Sequence, residues 1–321
     1  MKGIRVVLTG GGGFIGSRLL AALVALGADV TLVGATLGKS ATTARLVGDG
    51  AARFVLHQPD SRSDDAVRNA MRSADVLVLL GYTFPASVDP EQRRAEEFRL
   101  NVTPNLRLVQ LAGDALRQVV FASSVSVYGA PERSPVRESD PARPQSAYAL
   151  AKLACEQALG DTAARRETSL AILRYATVYG PGETVPRAIP NFIRAALGGT
   201  SLWVDGDGLD EHDYVYVDDV VAATAAALRL GSNGTYNVGT GTGTSTIELA
   251  RLVLEIVGSD VEVLHRARRS GELAGTRLVS AIDQARAQLA FAPHWRLREG
   301  LVQEVAWFSN EVLPLVTVAT R

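Results

Sequence analysis

Two side chains able to exchange a proton stand four positions apart in Ser146-Ala147-Tyr148-Ala149-Leu150-Ala151-Lys152. On a helix this spacing puts the Tyr148 phenol and the Lys152 ammonium on one face. A phenol with an ordinary pKa of about 10 is a poor acid or base at neutral pH, but a nearby ammonium stabilises its phenolate and makes the pair usable. Taken alone, Tyr-x-x-x-Lys is a common spacing that a surface helix also satisfies. Its weight comes from company: upstream lies Phe121-Ala122-Ser123-Ser124-Val125-Ser126-Val127-Tyr128-Gly129, an apolar run that ends in hydroxyls.

A second constellation opens the chain. Thr9-Gly10-Gly11-Gly12-Gly13-Phe14-Ile15-Gly16 follows the apolar run Ile4 to Leu8 and precedes a helix-like stretch. Glycines permit a tight turn and close approach of the backbone to a phosphate, whose charge the following helix N-terminus favours. The run fits two registers, Gly10-x-x-Gly13-x-x-Gly16 and Gly11-x-Gly13-x-x-Gly16, and its context is that of a dinucleotide-binding turn. Such turns usually work with an acidic residue at the end of the second strand, where it takes the adenine-ribose hydroxyls. Gly34 stands there instead, with Lys39 and Arg45 following. A 2′-phosphate is then not repelled, so the expected cofactor is NADP(H), with NAD(H) the alternative.

These groups need a frame. Strand-like and helix-like runs alternate through the first half, the pattern of a parallel sheet with helices on both faces. Expected strands are Ile4 to Leu8, Asp29 to Val33, Arg53 to Leu56, Val76 to Leu80, Val119 to Ser123 and Leu170 to Arg174. Ile15, Leu19, Leu23 and Leu26 make one apolar helix face that stops at Gly27. Gly180-Pro181-Gly182, Pro186 and Pro190 mark a change of texture. Beyond it are expected a helix over Asn191 to Leu197, a short strand Leu202 to Val204, an Ala-rich helix Asp218 to Leu230 and a strand at Tyr236-Asn237-Val238. Helices near Ile247 to Val257 and Leu297 to Phe308 close the chain. The expected division is a dinucleotide-binding domain over 1–178 with a return segment at about 211–240, and a smaller substrate-binding lobe from 179–210 and 241–321.

Composition bounds the partners. The 321 residues carry 33 basic and 34 acidic side chains, a formal net charge of −1, and 47% are hydrophobic. Disordered, collagenous and coiled-coil chains are excluded, and no basic patch offers itself to nucleic acid or an anionic membrane. Cys155 is alone and cannot form an internal disulfide, and four scattered histidines make no metal-ligand spacing. The N-terminal apolar run is too short for a signal peptide, and Val220 to Leu228 falls short of the roughly 20 residues that span a bilayer. The expectation is a cytoplasmic protein, metal-free, with no nucleic-acid or membrane partner, assembling as a homodimer.

Together, Thr9 to Ser17, the Ser124 strand end and the Tyr148/Lys152 pair resemble the extended short-chain dehydrogenase/reductase family, the NAD(P)-dependent nucleotide-sugar epimerases, reductases and dehydratases. The likeness runs from Arg5 to about Leu301, through Leu173 to Gly182, Asp205 to Val220, Asn237-Val238-Gly239-Thr240-Gly241 and Arg269-Ser270-Gly271-Glu272. It implies an α/β fold, a Rossmann-type doubly wound parallel sheet with a smaller C-terminal substrate-binding lobe. It further implies that Ser124 hydrogen-bonds the reacting sugar oxygen, that Tyr148 is the acid/base, and that Lys152 holds the nicotinamide ribose and tunes Tyr148. By the same likeness Gly10, Gly13, Phe14, Ile15, Gly16, Lys39, Gln58, Pro59 and Gly81 meet the cofactor. Thr83, Thr177, His212 and Arg269 join Ser124 around a nucleoside-diphosphate sugar. The chain departs from the family at several of these places. Thr177 stands for a usual Asn, His212 for a usual Arg, and Gln58 and Pro59 for an Asp and an apolar residue, while Leu79, Gly81 and Tyr82 replace a His-Leu-Ala-Ala stretch.

The family's 4,6-dehydratases carry Asp-Glu directly after the catalytic hydroxyl residue and its decarboxylases a Glu at the second position, whereas this chain has Val125-Ser126. Carbonyl/alcohol redox remains. The expectation is a nucleoside-diphosphate 4-keto-6-deoxyhexose 4-ketoreductase that consumes NADPH, because Gly34 and Gln58 lack the carboxylates that would grip a permanently bound cofactor. An NAD-dependent nucleotide-sugar 4-epimerase is the alternative, and a non-catalytic NAD(P)-binding regulator is the alternative of another class.

Overall fold

The computed structural model of the chain describes residues 1–56, 65–268 and 275–312. From the N-terminus run β1 (Arg5–Thr9), α1 (Phe14–Ala25), β2 (Asp29–Gly34), α2 (Ala41–Gly48), β3 (Ala52–Leu56), α3 (Asp65–Ser73) and β4 (Val76–Leu79). Next come α4 (Pro90–Glu97), a π-turn (Phe98–Val102), α5 (Thr103–Leu111), β5 (Gln118–Ser124), a 3-10 turn (Val125–Tyr128), α6 (Ala147–Arg166) and β6 (Ser169–Tyr175). Then follow β7 (Thr177–Tyr179), α7 (Ala188–Leu197), β8 (Leu202–Asp205), β9 (Glu211–Tyr216), α8 (Val217–Leu230), β10 (Gly234–Val238) and β11 (Gly243–Ser245). The chain continues through α9 (Thr246–Val257), β12 (Val263–Arg266), β13 (Arg277–Leu278), α10 (Asp283–Leu289), α11 (Leu297–Trp307) and a π-turn (Phe308–Val312).

Seven strands form one sheet in the order β10-β6-β5-β4-β1-β2-β3, every neighbouring pair parallel. The six expected strands are all present, and β10 returns as a seventh at the β6 edge. Strands such as β4, Val-Leu-Val-Leu, are buried along their whole length because helices cover both faces. On one face Leu19, Leu20 and Leu23 of α1 pack with Val220, Ala223 and Ala227 of α8. On the other, Val67 and Met71 of α3, Leu108 and Val109 of α5, and Cys155 and Leu159 of α6 form a second cluster. Strand order reverses between β1 and β4, so a crevice opens beyond their carboxyl ends, with β5 beside it.

The rest of the chain builds a second layer. β7, β9, β11 and β13 share a smaller sheet centred on β9, and β8 pairs with β12. Of the segment 211–240, β9 therefore lies in the smaller sheet while β10 lies in the large one. Among the described residues no helix is long and apolar enough to cross a membrane, and the apolar stretch Val220 to Leu228 is the inner face of α8.

Candidate active site

A cleft of about 1930 Å³ runs from the glycine turn across the strand ends. Gly10, Gly13, Phe14, Ile15, Gly16, Lys39, Gly81, Thr83, Ser124, Tyr148, Thr177 and His212 line it. Lys152 sits behind this wall, 9% exposed. Gln58, Pro59 and Arg269 lie outside the described residues. No cluster of three His, Cys, Asp or Glu side chains suited to a metal occurs among the described residues.

The glycine turn is shaped by contact. Gly10 has φ +72°, a backbone region that disfavours any side chain, and a Cβ there would approach the Gly81 nitrogen to 2.8 Å. A Cβ at Gly16 would collide with the Gly10 carbonyl oxygen, and one at Gly12 with the Leu37 carbonyl. α1 starts from Gly13 with no side-chain cap and no acidic residue in its first turn. Its leading N–H groups and positive dipole end are thus left for an anion, a donor set that fits the pyrophosphate of a dinucleotide. At the other end of the turn β2 stops at Gly34, and Ala35 to Ser40 line the cleft. Lys39 is among them, but Arg45 is not; on α2 it faces Asp49 at 3.5 Å.

The proton-handling pair is set by α6. Ser146 caps this helix by accepting from the Ala149 N–H at 3.1 Å, which fixes Tyr148 in the first turn and Lys152 in the second. Lys152 Nζ donates to the Ala122 carbonyl of β5 at 2.6 Å and lies 5.7 Å from the Tyr148 ring centroid and 5.0 Å from that of Phe121. Ser124 ends β5, and its Oγ accepts from both the backbone N–H and the hydroxyl of Ser126, at 3.2 and 3.0 Å. The Ser124 proton is thereby left to be donated into the cleft. Ser126 occupies the position where elimination or decarboxylation would want a carboxylate, and here it orients Ser124.

Behind the pair lies a buried network that sequence reasoning missed. Glu156, one turn beyond Lys152, accepts from Ser123 and from Arg174, the latter at 3.0 and 2.6 Å. Arg174 also donates to Tyr128 Oη at 2.8 Å, which donates to Asn237 Oδ1 at 2.7 Å. Burial alone would lower the Arg174 pKa, but the hydrogen bonds and charge of Glu156 outweigh it and hold the guanidinium above its ordinary value. Two further carboxyls were equally unforeseen. Glu183 lines the cleft and burial pushes it up to about 7. Glu304, with no exposed surface, is pushed up to about 8 by burial and then by the charge of Glu183, against a smaller opposing pull from the Gly180 backbone. Only their burial marks them, and neither lies in a pattern that reveals it.

Residues 6–239 match the NAD dependent epimerase/dehydratase family. The chain is 33% identical to the UDP-glucose 4-epimerase of Mycolicibacterium smegmatis, over 96% of this chain and 99% of that one. Among solved structures it is similar to MoeE5 in complex with UDP-glucose and NAD (30% identity, TM-score 0.83, 96% and 99% of the two chains). MoeE5 has also been solved with UDP-glucuronic acid and NAD. It is likewise similar to DesIV, the dTDP-glucose 4,6-dehydratase of Streptomyces venezuelae, with NAD and TYD bound (27%, TM-score 0.82, 96% and 98%). The seven-stranded sheet, the glycine turn and these matches together place the chain in the NAD-dependent epimerase/dehydratase family, enzymes built on a Rossmann-type fold.

Proposed function

We propose that this protein is a nucleotide-sugar 4-epimerase. The reading is carried by the meeting of Ser124, Tyr148 and Lys152 where the glycine turn faces β5, in a chain that relatives named UDP-glucose 4-epimerase match over nearly their full length. Those relatives turn the preference from the ketoreductase expected on sequence to the epimerase.

Gly10 to Gly16 and the α1 N-terminus would hold the pyrophosphate of NAD(P), and Lys152 its nicotinamide ribose. The bound nicotinamide supplies a hydride acceptor and donor for the sugar C-4. Ser124 donates a hydrogen bond to the C-4 oxygen and fixes its distance from the phenol. Tyr148, as the phenolate whose charge the Lys152 ammonium offsets, would take the proton of that hydroxyl as C-4 loses its hydride, and the phenol so formed would return the proton as C-4 is reduced. Thr83, Thr177 and His212 line the same cleft and would meet the nucleotide sugar.

Incubation with UDP-galactose and NAD tests this: interconversion with UDP-glucose, and no net nicotinamide reduction, is the expected result. A second reading, the NADPH-consuming 4-ketoreductase, is favoured by Gly34 and by Lys39 in the cleft wall. Stoichiometric NADPH oxidation by a nucleoside-diphosphate 4-keto-6-deoxyhexose, without interconversion of 4-epimers, would replace the epimerase by that reading.

A further inference from the structure

In the segment after β4, buried polar groups are committed to holding two residues. Tyr82 Oη donates to Glu97 Oε1 at 2.7 Å, and Asn101 Nδ2 donates to the other Glu97 oxygen at 2.8 Å and to the Thr83 carbonyl at 2.9 Å. Asn101 Oδ1 accepts from the Thr83 N–H at 2.8 Å. Glu97 ends α4 with no exposed surface, and Asn101 belongs to the π-turn that follows. Burying a carboxyl and an amide is costly unless each is bonded, and apolar side chains would fill the same space without that cost. What the arrangement achieves is a fixed Tyr82. Its ring meets that of Tyr148 edge to face at 5.2 Å and that of Phe84 at 4.9 Å. All three line the cleft, and Phe84 is 57% exposed there.

We infer that Tyr82 is a specificity-determining residue, an aromatic wall beside Tyr148 that makes the site take an uncharged hexose and reject one bearing a carboxylate at C-6. The inference rests on the epimerase reading for the placement of the sugar. With Tyr148 at the C-4 oxygen, the aromatic rings that line the cleft beside the phenol stand next to the substituents of C-3 and C-5, and C-6 hangs from C-5. Tyr82 and Phe84 offer the cleft aromatic carbon, and the one hydroxyl between them is spent on Glu97, so C–H groups are suited there and a carboxylate finds no hydrogen-bond donor from either ring. The Glu97 carboxyl stands behind Tyr82, and the Lys152 ammonium, 5.9 Å from the Tyr82 ring centroid, is held by the Ala122 carbonyl.

UDP-glucose and UDP-glucuronic acid differ only at C-6 and make the test. Their binding to NAD-loaded wild type, Tyr82→Phe, Tyr82→Leu and Tyr82→Ala is measured by calorimetry, with 4-epimerisation of each sugar assayed alongside. Wild type should bind UDP-glucose tighter by about tenfold or more, the scale on which one substituent is discriminated. Tyr82→Phe keeps the ring and should keep the ratio, whereas Tyr82→Leu and Tyr82→Ala should bring it close to one. A ratio unmoved in both of these, or a wild type that prefers the uronic acid, overturns the inference. Binding with the expected ratios but no interconversion would remove the epimerase reading and leave Tyr82 its role; interconversion with unmoved ratios would do the reverse. A wild type that binds neither sugar sinks both.

Discussion

Lys152 donates from Nζ to the carbonyl oxygen of Ala122 at 2.6 Å, so the ammonium one helical turn from Tyr148 is tethered to the strand that ends in Ser124. Helix α6 and strand β5 thus hold the three groups in register, and the chemistry of each can be tested separately.

Tyr148→Phe removes the proton at Oη and keeps the ring that packs against Tyr82. Turnover should fall by roughly 10²- to 10⁴-fold, the range that general acid/base groups contribute. Cofactor titration should return parental affinity. Near-parental turnover with chemistry rate-limiting would show that another group handles the proton.

Lys152→Ala should differ in kind, because one ammonium is asked both to meet the cofactor ribose and to offset charge on Tyr148. Rate and cofactor affinity should fall together. Unchanged affinity in a cofactor titration would remove the ribose role. The Ala122 carbonyl also loses its donor, so thermal unfolding is measured in parallel to separate lost stability from lost function.

Glu156→Ala strands a buried cation. The Arg174 and Glu156 side chains are 9% and 5% exposed, and removing one partner of such a pair typically costs about 3–5 kcal/mol. Chemical denaturation should report a loss of that order, with β5, α6 and β6 losing their common tie. A loss below about 1 kcal/mol would mean that water or Tyr128 compensates Arg174.

Glu304 makes stability depend on pH. Its folded pKa, about 8, lies above the ordinary 4.5, so the folded state holds a proton that the unfolded chain releases. The stabilisation is complete below about 4.5 and is lost as pH rises through the folded value of about 8. Glu183, raised to about 7, acts in the same direction. Melting temperature should therefore decline from pH 5 to pH 8.5, a range set by those values, and Glu304→Gln, which cannot ionise, should flatten the decline. A parallel decline in variant and wild type would assign it to other groups.

The sheet was legible because its strands are apolar along their length and because glycines and helix-length stretches punctuate them. Tyr148 and Lys152 were legible because a helix converts a spacing of four into a shared face. β10 was visible as a strand at Tyr236 to Val238, but its place at the edge beyond β6 depends on a crossover that no local pattern encodes. β7, β11 and β13 are two or three residues long, too short for periodicity to show. The same limit hid the Tyr82, Glu97 and Asn101 contacts. Glu97 sits in the polar sequence Glu-Gln-Arg-Arg-Ala-Glu-Glu and reads as a solvated residue, yet it is buried and bonded to Tyr82 and Asn101. Arg45 lies close in sequence to the same stretch as Lys39, but α2 turns it toward Asp49, a placement that sequence proximity does not reveal.

Gly34 makes the choice of cofactor testable. A carboxylate at the end of β2 would bond the ribose hydroxyls of NAD(H) and repel the 2′-phosphate of NADP(H). Gly34 does neither, and Lys39 in the same stretch of cleft wall supplies a cation. Wild type should therefore accept NADP(H) as well as NAD(H). A side chain at Gly34 is sterically admissible, since a Cβ there would lie 3.4 Å from the Thr36 carbonyl oxygen, an ordinary contact, and its φ is not in the left-handed region. Gly34→Asp should then weaken NADPH relative to NADH by about tenfold or more, the scale of like-charge repulsion in a partly desolvated site. Lys39→Ala should weaken NADPH alone, and less, because an exposed cation is screened by water and salt. Both shifts are read by fluorescence titration of the reduced cofactors at low and high salt. If Gly34→Asp changes the two dissociation constants equally, the end of β2 does not face the 2′ position, and the cofactor preference is set elsewhere.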